Sequence, residues 1–215
     1  MNKIEFMGLF DGKGITPPDL ERIDFAYDVA KVAHRGQKRD SGESYFMHPR
    51  RLVKILTNEC QIYDSDLVVA LLLHDTGEDS RIWGDLRQGF EKWRATAYRR
   101  IVLCSEKPRV ANLVIALTKP KVDGVTIKTK IDVVAFNTEC LKAAGADGLF
   151  CKAVDRLDNL RDSFRSDPAK RVHYVQETKE IYMPLFEEFL VGHSAAAPYL
   201  LNQIRKILED LEKLQ

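Results

Sequence analysis

Apolar side chains recur along this chain at intervals of three and four residues and seldom at two. Ile23, Ala26, Tyr27, Ala30 and Ala33 fall on one face of a helix over residues 20–34. Pro49 suits the first turn of a second helix, because its missing N–H would have no partner there. That helix carries Leu52, Val53, Ile55 and Leu56. Residues 66–74 form a third, almost wholly apolar. Helical patterns also cover residues 131–144, 149–161, 172–190 and 199–214, and residues 112–118 lead into a loop at 119–124. Residues 81–104 are mixed, with Trp83, Phe90 and Trp93 as anchors. Residues 36–47 are polar and contain Ser41-Gly42, which reads as a loop. Asp167-Pro168 marks a turn, and residues 192–198 a short hinge. No stretch shows the alternation of a sheet protein. The expected fold is all-α, a single helical bundle over residues 1–215 with its closing helix at 199–214.

Composition narrows the function classes. A chain of 215 residues is long enough to bury a substantial core. The formal net charge is +1, so no global field favours nucleic acid or a membrane, and an anionic ligand must be held by local basic groups. Cys60, Cys104, Cys140 and Cys151 are scattered without a Cys-x-x-Cys pair, which argues against a zinc knuckle or redox motif. The apolar run 67–73 is too short to span a bilayer, and residues 1–14 lack the apolar core of a signal peptide. A cytoplasmic protein with reduced thiols is expected.

The candidate chemistry lies in four islands. His74-Asp75 closes the apolar run, and Glu78-Asp79 follows one turn later. If the helix continues, Glu78 lies over His74 and Asp79 over Asp75. Such groups crowded at an apolar helix end resist burial unless a cation neutralises them. The second island is Tyr45-x-x-His48-Pro49, with His48 just before a helix start. The third is Asp155-Arg156-Leu157-Asp158-Asn159-Leu160-Arg161, with Asp155 and Asn159 on one face. The fourth is the basic, flexible loop from His34 to Gly42. Each has a plainer reading when taken singly. His48 suits capping or packing, Asp155-Arg156 a surface ion pair, and Lys38-Arg39 a solvated patch.

Taken in order, the islands resemble a known family. The series Ala33-His34-Arg35-Gly36-Gln37-Lys38-Arg39, Ser41-Gly42-Glu43, Tyr45-x-x-His48-Pro49, Leu73-His74-Asp75-Thr76-x-Glu78-Asp79 and Asp155-Arg156-Leu157-x-Asn159-x-Arg161 resembles the hydrolase domain of the Rel/SpoT alarmone enzymes, within the HD superfamily. Leu117-Thr118-Lys119 and Glu180-Ile181-Tyr182-Met183-Pro184-Leu185 match as well. The resemblance covers about residues 25–186. With no room expected for a synthetase or regulatory domain, the chain is similar to the stand-alone small alarmone hydrolases, which include the animal Mesh-type enzymes.

The resemblance implies a divalent metal held by His48, His74, Asp75 and Asp155. Two imidazoles and two carboxylates suit manganese or another octahedral ion better than structural zinc. It implies that Glu78 and Asp79 orient or deprotonate the attacking water. Arg39, Ser41 and Tyr45 would hold base and sugar, and Asn159 would lie near the reacting phosphate. Lys38, Arg39, Lys119, Lys121 and Arg161 are candidate counter-charges. The implied reaction removes the 3′-pyrophosphate of guanosine 3′,5′-bis(diphosphate) (ppGpp) or its triphosphate relative. Adenosine alarmones, the 2′-phosphate of NADPH and a non-catalytic nucleotide-binding role are the alternatives, and a cognate alarmone synthetase is the implied functional partner. His34 reads as packing, His173 as solvated surface and His193 as inert. Departures from the family pattern are Asp40, Asp158, Asp162, Gly77, expected to loosen its turn, and a longer segment over residues 106–149.

Overall fold

Helix starts in this chain are set by side chains that satisfy the first free N–H groups. In the computed structural model, residues 2–121, 127 and 129–214 are described, Asp79 by its backbone alone. Asn2 and Glu5 close a capping box on α1 (Lys3–Met7). The Thr16 hydroxyl accepts from the Asp19 N–H ahead of α2 (Pro17–Ala33), which begins earlier than the apolar pattern alone indicates because two prolines fill its first turn. α3 (Met47–Lys54) starts one residue before His48, so this imidazole lies inside the first turn, not ahead of it. The Asp64 carboxylate accepts from the N–H groups of Asp66 and Leu67 at the head of α4 (Ser65–Leu73), and α5 (Thr76–Asp79) is a single turn. α6 (Phe90–Ser105) and α7 (Pro108–Leu117) follow. Thr129 and Asp132 box the start of α8 (Lys130–Ala143), and Gly145, at φ +71°, takes the left-handed conformation between it and α9 (Gly145–Ser163). α10 (Pro168–Glu177), α11 (Met183–Leu190) and α12 (Ala197–Glu212) complete the chain.

Among the described residues there is no strand, and the fold is all-α, as the periodicity predicts. The long segment between residues 106 and 149 holds α7 and α8. Of the predicted 119–124 loop, Val122, Asp123 and Gly124 lie outside the described residues. The helix predicted over residues 172–190 is divided by a wide turn, Thr178–Tyr182, in which the Met183 N–H reaches back to Thr178. Pro184 follows, bringing no N–H of its own, and the wider turn makes room for its ring. The polar loop 36–47 is more ordered than its composition suggests. Lys38 and Ser44 form an antiparallel bridge, and the Tyr45 N–H bonds the Gln37 carbonyl at 3.0 Å.

α4 is the axis of the core. Every residue from 67 to 73 is buried, and the helix packs against α2, α3, α7 and α9. Full burial of one such side chain contributes about 1.5–3 kcal/mol. Trp83, Phe90 and Trp93 are buried as anchors, as predicted. This packing brings the C-terminal end of α4, the first turn of α3 and the middle of α9 to one place. No described helix is long and apolar enough to cross a membrane.

Candidate metal centre and anion cavity

α4 stops at Leu73, so the stacking of Glu78 over His74 expected from a continuous helix does not occur. The Thr76 hydroxyl donates to the Leu73 carbonyl, the Glu78 N–H bonds Asp75 O at 3.1 Å, and α5 sets off in a new direction. Gly77 does not loosen this turn. A Cβ there would lie 2.7 Å from Cζ2 of Trp93 and 3.0 Å from Oγ1 of Thr118, so the missing side chain is what lets the Trp93 ring close on α5. The indole N–H of Trp83 donates to the Thr76 hydroxyl at 2.6 Å and holds the turn from the other side.

Four side chains from three helical regions converge at this corner. One ligand atom from each of His48, His74 and Asp75 lies within 4.8 Å of the others. His48 Nε2 is 3.2 Å from Asp155 Oδ1 and 3.6 Å from Asp75 Oδ2. His74 Nε2 is 3.0 Å from Asp75 Oδ2 and 3.7 Å from Asp155 Oδ1. Both imidazoles are oriented from behind. His74 Nδ1 is 2.8 Å from the Leu71 carbonyl, a contact that needs the proton on Nδ1 and turns the Nε2 lone pair inward. His74 Nε2 is buried and makes no hydrogen bond of its own. A buried, unpartnered nitrogen facing two carboxylates fits a divalent cation.

The carboxylates are fixed as well. The Tyr45 hydroxyl donates to Asp75 Oδ2 at 2.8 Å. Lys152 Nζ donates to Asp155 Oδ2 at 2.8 Å, and Asn159 Nδ2 to Asp155 Oδ1 at 2.7 Å. Burial works against the charge on Asp155, but the Lys152 ammonium and the two imidazoles hold its carboxyl well below the usual range. Burial also opposes charging His74, yet Asp75 and Asp155 raise its pKa well above the ordinary imidazole value. Glu78 moves the other way. Burial and the nearby Asp75 charge push its pKa up to about 7, against the Lys119 N–H that bonds its carboxylate.

A cavity of about 220 Å³ opens onto the cluster. Asp75, Asp155 and Glu78 line its floor together with Lys152 and Arg156, and Lys38, Arg39, Tyr45, Lys119, Asn159 and Lys170 line its walls and rim. A larger cavity of about 890 Å³ lies along α6, α7 and α8 and touches none of the cluster residues. Most of the sequence-derived candidates therefore meet at or behind one cavity, but Ser41, Arg161 and Lys121 do not. Ser41 is exposed outside its lining. Arg161 forms a two-pronged pair with Glu59 at 2.7 and 2.8 Å and lines a separate groove. It stands six residues after Asp155, about 240° around α9, which periodicity could have shown. Lys121 reaches the Glu78 carbonyl at 3.0 Å from a small neighbouring cavity. The side chain of Asp79 lies outside the described residues. His34 is buried and stacked on Tyr45, and His193 pairs with Asp147 away from the cluster.

The acidic departures from the family pattern each have a partner. Asp40 pairs with Lys170 across the rim, Asp162 with Arg39 at 2.7 Å, and Asp158 with His48 at 2.7 Å behind the cluster. Sequence reasoning missed Lys152, Arg156 and Lys170. The spacing Lys152-x-x-Asp155 places the lysine one helical turn from the aspartate and was the available signal for the first.

Comparison with known proteins agrees with this geometry. The HD domain family matches residues 26–188, a span containing every cluster residue. The chain is 34% identical over 173 residues to GTP pyrophosphokinase rsh of Brucella melitensis, covering 78% of this chain and 20% of that protein. It is 32% identical over 178 residues to the bifunctional (p)ppGpp synthase/hydrolase SpoT of Escherichia coli K12, covering 81% and 22%. To the guanosine-3′,5′-bis(diphosphate) 3′-pyrophosphohydrolase of Aquifex aeolicus it is 31% identical over 172 residues, covering 79% and 22%. The chain thus spans about a fifth of the length of these curated relatives. A solved structure, described as a metazoan ortholog of SpoT that hydrolyzes ppGpp and plays a role in starvation responses, aligns with a TM-score of 0.65. It is 22% identical, with 91% of this chain and 96% of that one covered, a likeness of fold. With its all-α bundle, its His74-Asp75 doublet at a helix end and a family match over three quarters of its length, this chain belongs to the HD-domain family.

Proposed function

We propose that the chain is a metal-dependent hydrolase that removes the 3′-pyrophosphate of ppGpp, giving GDP and pyrophosphate. The observation that carries the reading is the buried His48, His74, Asp75 and Asp155 cluster at the floor of a cavity ringed by cations. The names of relatives matched over most of this chain support the choice of substrate.

His48, His74, Asp75 and Asp155 would hold the cation, and mixed nitrogen and oxygen donors without sulfur suit manganese. Such a cation neutralises phosphate oxygens and makes water a stronger nucleophile near neutral pH. The chain's own groups do the rest. Lys152 keeps a buried positive charge against Asp155, and Lys38, Arg39, Lys119 and Lys170 offer charge at the height where a pyrophosphate would enter. Arg39 is held flat by Asn159 and Asp162 over the Tyr45 ring, a surface on which a purine can stack. Glu78 accepts the proton of the attacking water, and Asp79 is the second acid of the pair. The water oxygen bonds the phosphorus next to the ribose 3′ oxygen, the bond from that phosphorus to the 3′ oxygen breaks, and this oxygen takes a proton. The cellular partner is then whichever synthetase makes the 3′-pyrophosphorylated nucleotide.

The test is a chromatographic assay of purified protein with manganese and ppGpp, run beside the adenosine analogue and NADPH. GDP and pyrophosphate in equal amounts are expected. Turnover of the adenosine analogue or NADPH alone reassigns the substrate, and intact ppGpp retained on the protein without products removes the catalytic reading.

A further inference from the structure

His48 differs from His74 in what stands behind it. His74 is backed by a main-chain carbonyl, whereas His48 is backed by a second carboxylate, Asp158, whose Oδ2 lies 2.7 Å from His48 Nδ1. Asp158 sits one turn beyond Asp155 on α9, and Arg51 one turn beyond His48 on α3. Arg51 grips the same carboxylate through Nε at 2.7 Å and Nη2 at 3.0 Å, and its other arm pairs with Glu43. The Asp158 side chain is 3% exposed and Arg51 29%. Asp158 is therefore enclosed, with a guanidinium on one side and an imidazole on the other, and it does not reach the cavity that Asp155 lines.

From this juxtaposition we propose that Asp158 is a positioning residue for metal binding: its carboxylate fixes the proton of His48 on Nδ1 and so presents the Nε2 lone pair to the cation held with His74, Asp75 and Asp155. The inference rests on the reading of the cluster given above. A carboxylate engaged by a guanidinium has only acceptor capacity left, so the imidazole must donate to it. Nδ1 then carries the proton and Nε2, 3.2 Å from Asp155 Oδ1, is free to ligate. The clamp also explains why Asp158, an acidic departure from the family pattern, does not repel an anionic substrate. It faces Arg51 and the back of His48, and its charge reaches the site only through the ring.

The residue that separates positioning from simple anchoring is Asp158→Asn. Arg51 claims the amide oxygen, which leaves the NH2 group facing His48 Nδ1. That arrangement favours the opposite tautomer, with its proton on Nε2, where the ligand lone pair should be. Protein stripped with EDTA and titrated with manganese alone should bind about 10- to 100-fold more weakly in this variant than in wild type. Arg205→Ala, which breaks an exposed pair with Glu187 between α12 and α11 and touches neither Asp158 nor Arg51, should leave manganese affinity unchanged. Nitrogen-15 NMR of labelled histidine in the stripped wild type should show the neutral His48 ring protonated at Nδ1, and this reading stands even if Asp158→Asn fails to fold. Equal manganese affinity in wild type and Asp158→Asn, or a wild-type His48 ring protonated at Nε2, overturns the positioning role and leaves the hydrolase proposal intact. A wild type that takes up no manganese overturns both.

Discussion

At the floor of the cavity, Asp75, Asp155 and Glu78 meet the cations Lys152 and Arg156; at its rim, Arg39 is matched by Asp162, and Lys170 by Asp40 in an exposed pair. The two regions carry charge differently. The floor crowds carboxyl groups that burial makes costly to charge, and they are offset by Lys152 and by the His74 imidazole, whose pKa Asp75 and Asp155 raise. A divalent cation bound there would replace the imidazole proton. The rim is already close to balance, and a phosphate arriving there exchanges one carboxylate partner for another. On the proposed reading, rigid, buried charge sits where the bond would break, and paired, exchangeable charge where the nucleotide would bind.

The sharpest way to break this comparison is at the floor. His74→Ala should lower the rate of pyrophosphate release by about 1000-fold or more, equivalent to about 4 kcal/mol of transition-state stabilisation. A steady-state assay with saturating manganese checks it, and retained turnover would mean that the floor is only structural. Gly77→Ala tests the packing beneath. The new Cβ meets the Trp93 ring, and the cost of such overpacking is about 1–3 kcal/mol. Denaturant unfolding should record this loss together with weaker manganese binding as α5 shifts, whereas an unchanged midpoint would show that Trp93 yields freely.

The rim should respond more mildly. Asp40→Asn frees Lys170 for phosphate, and KM should fall by up to about fivefold, since an exposed pair is worth about 0–1 kcal/mol. A rise in KM would show that Asp40 itself contacts substrate. Arg161→Ala is the smallest case. It should leave kcat and KM within about twofold and lower the melting temperature by about 2–4 °C, the shift expected for about 1 kcal/mol in a chain of this size. The lost contact is the clamp on Glu59, which also accepts from the Tyr199 hydroxyl of α12.

Much of this molecule was legible in one dimension, and the legible parts share a cause. Helices such as 17–33 and 197–212 bury one face, so their apolar spacing follows the helical period. Asp155 and Asn159 were readable as neighbours because four residues return a helix to the same face, and their side chains bond at 2.7 Å. The break at His74-Asp75 was less readable. It depends on Thr76 and on the seat that Gly77 offers to Trp93, sixteen positions further on.

The residues by themselves determined the helical class, the register of the core and the identity of the groups able to bind a cation, because these follow from local periodicity and side-chain chemistry. Only the packing of α3, α4 and α9 decided which of those groups share a volume. It turned Arg161 away toward Glu59, set Asp158 behind His48, and left His74 Nε2 buried without a partner. Rotation of one helix against another is fixed by contacts made across more than a hundred residues of chain, and no local pattern encodes it.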